Sequence, residues 1–215
     1  MLLNIINTYI CDIIVILHYS NLKKNKKYQQ ILASGKELFW KFGIRRVAVE
    51  EVCKHANVSK MTFYKFFQNK TELALVILEI TVGKAINDYT ELIANNCSFI
   101  EKVNLMLKMK LEGTQDISQE FVMDIYQNPD LGLLPFMEKQ GEKSLKLTVD
   151  FLMDSQIKGH IRQDIKVDFI MYFFNQMLAM STDKALLAKY NNPQDLIMEI
   201  TEFFFYGIGA KQFNK

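Results

Sequence analysis

Asn57 to Lys70 reads NVSKMTFYKFFQNK, in which hydroxyls and cations are interleaved with aromatic rings. At the helical period Phe63, Phe66 and Phe67 fall together on one side. Lys60, Met61, Tyr64 and Lys65 fall on the other, with Thr62 at its edge near the N-terminus. The Phe side would anchor a short helix. The opposite side would present cations, hydroxyls and a helix N-terminus to phosphates and base edges. A short amphipathic helix with a solvated basic face accounts for the Phe residues equally well. It does not account for what precedes them.

The elements that must position this face come first in the chain. Between Lys26 and Phe42 the residues Ile31, Leu32, Gly35, Leu38, Phe39 and Phe42 share one face, and Gly43 ends the helix. Trp40 falls opposite that face and reads first as a surface residue, second as a contact for something else. In VEEVCKHA, Val49, Val52, Cys53 and Ala56 form a narrow stripe, which makes Cys53 a small core residue. Only Asn57 and Val58 then separate this helix from Ser59. Asn tolerates the left-handed conformation that a sharp turn needs, and Ser59 can cap the next helix. The three pieces together make a helix-turn-helix.

Charge distribution agrees. Asn21 to Lys70 holds twelve Lys/Arg against three Asp/Glu, a net of +9, whereas Thr71 to Lys215 holds fourteen against twenty, a net of −6. A basic head on an acidic body fits a polyanion-binding unit joined to something else, though charge alone fits a solvated basic face as well. Cys11, Cys53 and Cys97 form no C-x-x-C, and His18, His55 and His160 show no ligand spacing. A disulfide framework or metal site is therefore not expected, and a reducing cytoplasm is. There is no G-x-S-x-G, P-loop or G-x-G-x-x-G, so nothing argues for an enzyme or a cofactor.

The opening run MLLNIINTYICDIIVILHYS followed by KKNKK resembles a membrane anchor with a positive flank. Asp12 in its middle would cost about 2.5–3.5 kcal/mol on insertion. The positive charge also follows the apolar run, which is the wrong order for a signal peptide. An additional segment packed on the body or poorly ordered is the first reading, a start placed too early the second and a membrane span the last. Stable membrane insertion is not expected.

ILASGKELFWKFG, followed by VEEVCKHANVSKMTFYKFFQNKTEL, resembles the N-terminal domain of TetR/AcrR-type transcriptional regulators. By position the resemblance implies phosphate anchoring by Ser59, Thr62, Tyr64 and Lys70. Lys60, Met61 and Lys65 take positions that commonly meet base edges. Three departures stand out: Asn57 replaces the usual Gly, Ala48 the usual Ser/Thr at the start of the second helix, and Met61 a smaller residue. Loss of the cap at Ala48 typically costs about 0.5–2 kcal/mol. Met61 brings an apolar side chain towards the groove, where it could contact a thymine methyl or merely restrict the fit.

The rest of the chain reads all-α. Helices are expected from Thr71 to about Ala94, then at Phe99–Glu112, Ile117–Gln127, Leu134–Lys158, Val167–Lys189 and Pro193–Phe213. The division is an N-terminal extension at 1–22, a helix-turn-helix domain at 23–70 and an all-α effector and dimerisation domain at 71–215. From Lys166 to Met180 eleven of fifteen residues are apolar and point nearly all round the helix. Such a helix needs its own domain on one side and a partner on the other. The last helix has one broad stripe, Leu196, Ile197, Ile200, Phe203, Phe204 and Gly207. The resemblance implies a homodimer through this pair; an internal bundle core is the alternative. It also implies an effector cavity in the middle helices, for which Met106, Met109, Phe121, Met123, Tyr126 and Phe151 are candidates for contacting a small apolar or amphipathic molecule; such residues are at least as often plain core.

The expected protein is a cytoplasmic, homodimeric regulator, a ligand-responsive repressor that binds a palindromic double-stranded operator. In the alternative the same fold binds DNA and its body takes a protein partner. An enzyme with an incidental helix-turn-helix would need a cavity of convergent polar groups, and a membrane-anchored regulator would be found in a membrane fraction.

Overall fold

The computed structural model describes residues 25–209. The extension at 1–22 lies outside them, as does the stretch beyond 209 into which the last helix was expected to run. Helix α1 (Lys26–Phe42) opens at Asn25, whose Oδ1 accepts the N–H groups of Lys27 and Tyr28 at 3.0 and 3.2 Å. It closes at Gly43, whose N–H reaches the Phe39 carbonyl at 2.9 Å. Helix α2 (Val49–His55) follows, and Asn57 makes the turn at φ 50°. Helix α3 (Lys60–Tyr64) is one short turn and a half, capped by Ser59 Oγ on the Thr62 N–H at 3.1 Å. Phe66 and Phe67 lie just past it. Phe67 stacks on Tyr28 at 5.3 Å, and Phe66 meets the same ring edge-on at 5.5 Å.

Helix α4 (Lys70–Ala94) runs from head to body. It lies close against α1 because Gly35 leaves room. A Cβ there would sit 2.8 Å from Leu73 Cδ2 and 3.0 Å from Ile77 Cδ1. The body continues with α5 (Phe99–Gly113), α6 (Gln119–Tyr126), a 3-10 turn at Pro129–Leu131 and α7 (Leu134–Ile157). It ends with α8 (Val167–Thr182), α9 (Lys184–Leu187) and α10 (Pro193–Ile208). The fold is all-α, and the described residues hold no strand beyond one bridge between Ile161 and Gly209. No helix among them is long and apolar enough to cross a membrane.

One expected helix is two. The run Val167–Lys189 breaks at Asp183, which is extended (φ −70°, ψ 121°) and caps α9 by accepting the Leu186 N–H at 2.7 Å. Asp competes for backbone donors in this way, so helical periodicity carried through it is misleading.

Packing corrects three further expectations. Trp40 is only 7% exposed and lies on Phe121 of α6 with ring centroids 4.2 Å apart. It belongs to a core that joins head and body, in which α1 is covered on one side by its own domain and on the other by α6. The proposed effector residues do not surround one space. Met106 and Phe151 are core residues of a cluster with Phe99 and Phe204, with Met109 packed against it. Phe121 belongs to the core that joins head and body, Met123 to a third cluster around Val122 and Leu196, and Tyr126 touches both. Phe204, in the stripe expected to face a partner, is 2% exposed and stacks on Phe173 within the protomer. Its neighbour Phe203 is the outward residue, at 70% exposure.

Candidate nucleic-acid interface

The basic face is built on buried phenylalanine. Phe63 is fully buried beneath α3, and Phe67 closes the core behind it. This fixes the outward residues of a helix too short to be stable alone. Met61 and Tyr64 project with 71% and 55% exposure, large values for residues of their size. Ser59, Lys60 and Lys65 are also exposed, and Thr62 is half-buried. Six of the seven residues proposed to meet DNA therefore lie on α3 and its two ends. The Ser59 and Thr62 hydroxyls are 3.0 Å apart, so one already donates to the other and they would meet a phosphate as a pair.

Lys70 is placed differently. Its ammonium donates to the carbonyls of Arg45 at 2.6 Å and Val47 at 2.9 Å, across the loop that enters α2. Burial pulls this ammonium below its ordinary value, with Asp124 opposing and the Arg45 cation adding to the shift. Lys70 thus braces the loop, and its remaining N–H is what it can offer a phosphate.

The start of α2 is closed by its own acidic residues. Ala48 has no side-chain oxygen, but Glu51 Oε2 accepts the Ala48 N–H at 2.8 Å, which preserves half of a capping box. Glu50 forms an ion pair with Lys60 across to α3. The hydrogen bond from Lys60 is the first cause holding the Glu50 carboxyl below its usual range, and it raises the Lys60 ammonium in turn. Beneath them burial pushes the Cys53 thiol up, in keeping with a core residue.

Sequence reasoning missed two groups. Lys27 and Lys54 border a recess beside the turn that also touches Asn57, Ser59 and Thr62. The basic composition of the head was the only signal for them. The second group ties head to body. Asp124 of α6 is buried, accepts the Arg45 N–H at 2.8 Å, and takes a bond from Asn128 Nδ2 at 3.1 Å. Arg45 Nη1 reaches Asn128 Oδ1 at 2.9 Å and pairs with Asp130 at 3.2 Å, while the Ser118 N–H donates to the Trp40 carbonyl at 2.8 Å. These partners lie about eighty positions apart in the chain, beyond any periodicity argument. Among the described residues no group of His, Cys, Asp or Glu side chains assembles a metal site.

Residues 31–77 match the model for bacterial regulatory proteins of the tetR family. The HTH-type dhaKLM operon transcriptional activator DhaS of Lactococcus lactis is 32% identical over 110 residues, which cover 49% of this chain and 55% of that protein. A fatty acid metabolism regulator protein of Bacillus subtilis is 27% identical over 85 residues, 40% of this chain and 44% of the relative. The chain therefore spans about half the length of the curated relatives it matches. Among solved structures, the transcriptional regulator FadR from Bacillus subtilis in complex with stearoyl-CoA superposes with a TM-score of 0.62 at 19% identity, over 84% of this chain and 99% of that one. That likeness concerns the fold. The helix-turn-helix at residues 31–77 is thus similar to that of the tetR family of bacterial regulatory proteins, and the all-α fold that carries it is like that of the solved regulator.

Proposed function

We propose that this chain is a sequence-specific DNA-binding transcriptional regulator that works as a homodimer on a roughly palindromic operator. The carrying observation is the exposed face of α3, where Met61, Tyr64 and Lys65 project from a buried Phe63. Large side chains held outward on a rigid base suit a helix that enters the major groove. Ser59, Thr62 and Tyr64 would anchor phosphates, Lys60, Met61 and Lys65 would meet base edges, and Lys70 would hold the loop behind them. The dimer reading is supported by Phe169 and Tyr172 on α8 and Phe203 and Tyr206 on α10, all exposed aromatics on the last two long helices. Selecting bound fragments from the source genome tests the proposal. An enriched inverted repeat is expected, and a mixture no different from input would overturn it.

Repression would follow where such a site overlaps a promoter. Activation is a second reading, because the relative that is 32% identical is named a transcriptional activator. A reporter carrying the selected site separates the two by the sign of its response. The body would take the signal. An apolar or amphipathic small molecule is the first reading, favoured by the relative named for fatty acid metabolism. A protein partner is the second, favoured by the division of Met106, Phe121 and Phe151 between separate packed cores. Under the first reading an acyl-CoA such as stearoyl-CoA should raise the thermal midpoint and lower operator affinity, and linkage makes operator DNA weaken that ligand by the same factor. A ligand that stabilises the protein without changing operator affinity is no effector.

A further inference from the structure

The lysines of the DNA-facing surface are not equivalent. Among the described residues Lys27, Lys54 and Lys65 have no ion-pair partner, whereas Lys60 is joined to Glu50. Both side chains of that pair are 57% exposed, so the contact lies on the surface of the helix-turn-helix and not in its core. It bridges the second residue of α2 to the first residue of α3. A lysine held by a carboxylate brings no net charge to a phosphate. It releases a counterion at DNA only if the pair opens. Opening also leaves a carboxylate facing a polyanion, and that state is favoured only where the ammonium gains a better acceptor, such as guanine O6 and N7.

We propose that Glu50 is a specificity-determining residue, which withholds Lys60 from phosphates and releases it only where a base edge of the operator competes successfully for the ammonium. The inference rests on the DNA-binding reading above. It gives Glu50 a role beyond favourable placement in the first turn of α2. Without this acidic partner, Lys60 would add affinity for every sequence alike. With it, non-specific binding is restrained while the cognate contact remains available.

A double-mutant cycle on a random-sequence duplex of defined length tests this with the full chain. Binding is measured between 50 and 200 mM salt for the parent, Glu50→Gln, Lys60→Gln and the double variant. Glu50→Gln should steepen the dependence of log K on log salt by about 0.9, the value of one added phosphate contact, which is about a three- to fourfold affinity change across that salt range. In the Lys60→Gln background the same substitution should leave the slope unchanged. Thermal midpoints of the four proteins show that folding is retained. Against an operator obtained by genomic selection, Glu50→Gln should also narrow the ratio of specific to random binding. Equal slope changes in both backgrounds, or none in either, would overturn the role of Glu50 while leaving DNA binding intact. Failure of the parent to bind any duplex at low salt would instead overturn the DNA-binding reading, and this inference with it.

Discussion

Gly43→Ala addresses the junction between head and body. Gly43 adopts φ 81°, ψ 158°, a region essentially reserved for glycine, and forcing a side chain there costs about 1–3 kcal/mol. A Cβ at this position would also stand 2.9 Å from Asp124 Oδ2 and 2.9 Å from Glu120 Cβ. Both neighbours lie on α6, whose Asp124 is held by the Arg45 N–H and Asn128, so neither can withdraw freely. Overpacking of this kind costs a further 1–3 kcal/mol or so. The expected loss is therefore about 2–6 kcal/mol. The single tryptophan of the chain, Trp40, is packed on Phe121 beside this site and supplies the assay. Emission should shift to the red and the denaturant midpoint should fall together. Gly141→Ala serves as control, since a Cβ there meets nothing within 4 Å in the middle of α7, and it should stabilise by about 0.5–1 kcal/mol. A Gly43→Ala protein with parental stability and unchanged emission would refute the reasoning.

Asp124→Ala should cost about 1–3 kcal/mol by denaturant titration, because the Arg45 N–H and the Asn128 amide lose a shared buried acceptor. Phe203→Asp should convert dimer to monomer in sedimentation with helicity retained, whereas Phe204→Asp should reduce helicity itself, since only the latter side chain is buried in the protomer; an intact Phe203→Asp dimer would place the interface elsewhere. Tyr64→Ala should weaken binding to specific and random duplexes alike, and Lys65→Ala should shift preference at particular positions, as read by competition with single-base operator variants. Lys70→Ala should lower affinity and also the thermal midpoint, because its two carbonyl contacts brace the loop before α2; a reduced affinity with an unchanged midpoint would make it a phosphate contact alone.

The head was legible because its determinants are local. Asn57 at φ 50°, Ser59 as a cap, Gly43 after α1 and Phe63 beneath α3 each act within a few residues, where spacing alone identifies them. Trp40 shows where that logic stops. Its position opposite the helix's main apolar stripe was read correctly, but α1 is covered twice, by its own domain and by α6, and periodicity registers only one stripe at a time. Phe204 is the converse case. A broad stripe on α10 includes residues that face α8 and a residue that faces outward, and only the three-dimensional packing separates Phe204 from Phe203.

The candidate site divides along the same line. Outward placement of Met61, Tyr64 and Lys65 follows from the amphipathic pattern, but the partners of Lys60 and Lys70 do not. Lys60 meets a carboxylate ten positions earlier and Lys70 meets carbonyls more than twenty positions earlier, each across a turn whose geometry sets the contact. Two lysines of the same basic stretch consequently do different things. One is held against an acidic side chain on the surface that would face DNA, and the other is drawn onto the loop between α1 and α2. Because that loop is also gripped at Arg45 by Asp124 and Asn128, displacement of α6 by anything bound to the body would act on the entry to α2 before it reached α3. Under the proposed function, coupling between signal and DNA would have a physical route through these side-chain contacts to the loop, which the amino-acid pattern alone does not encode.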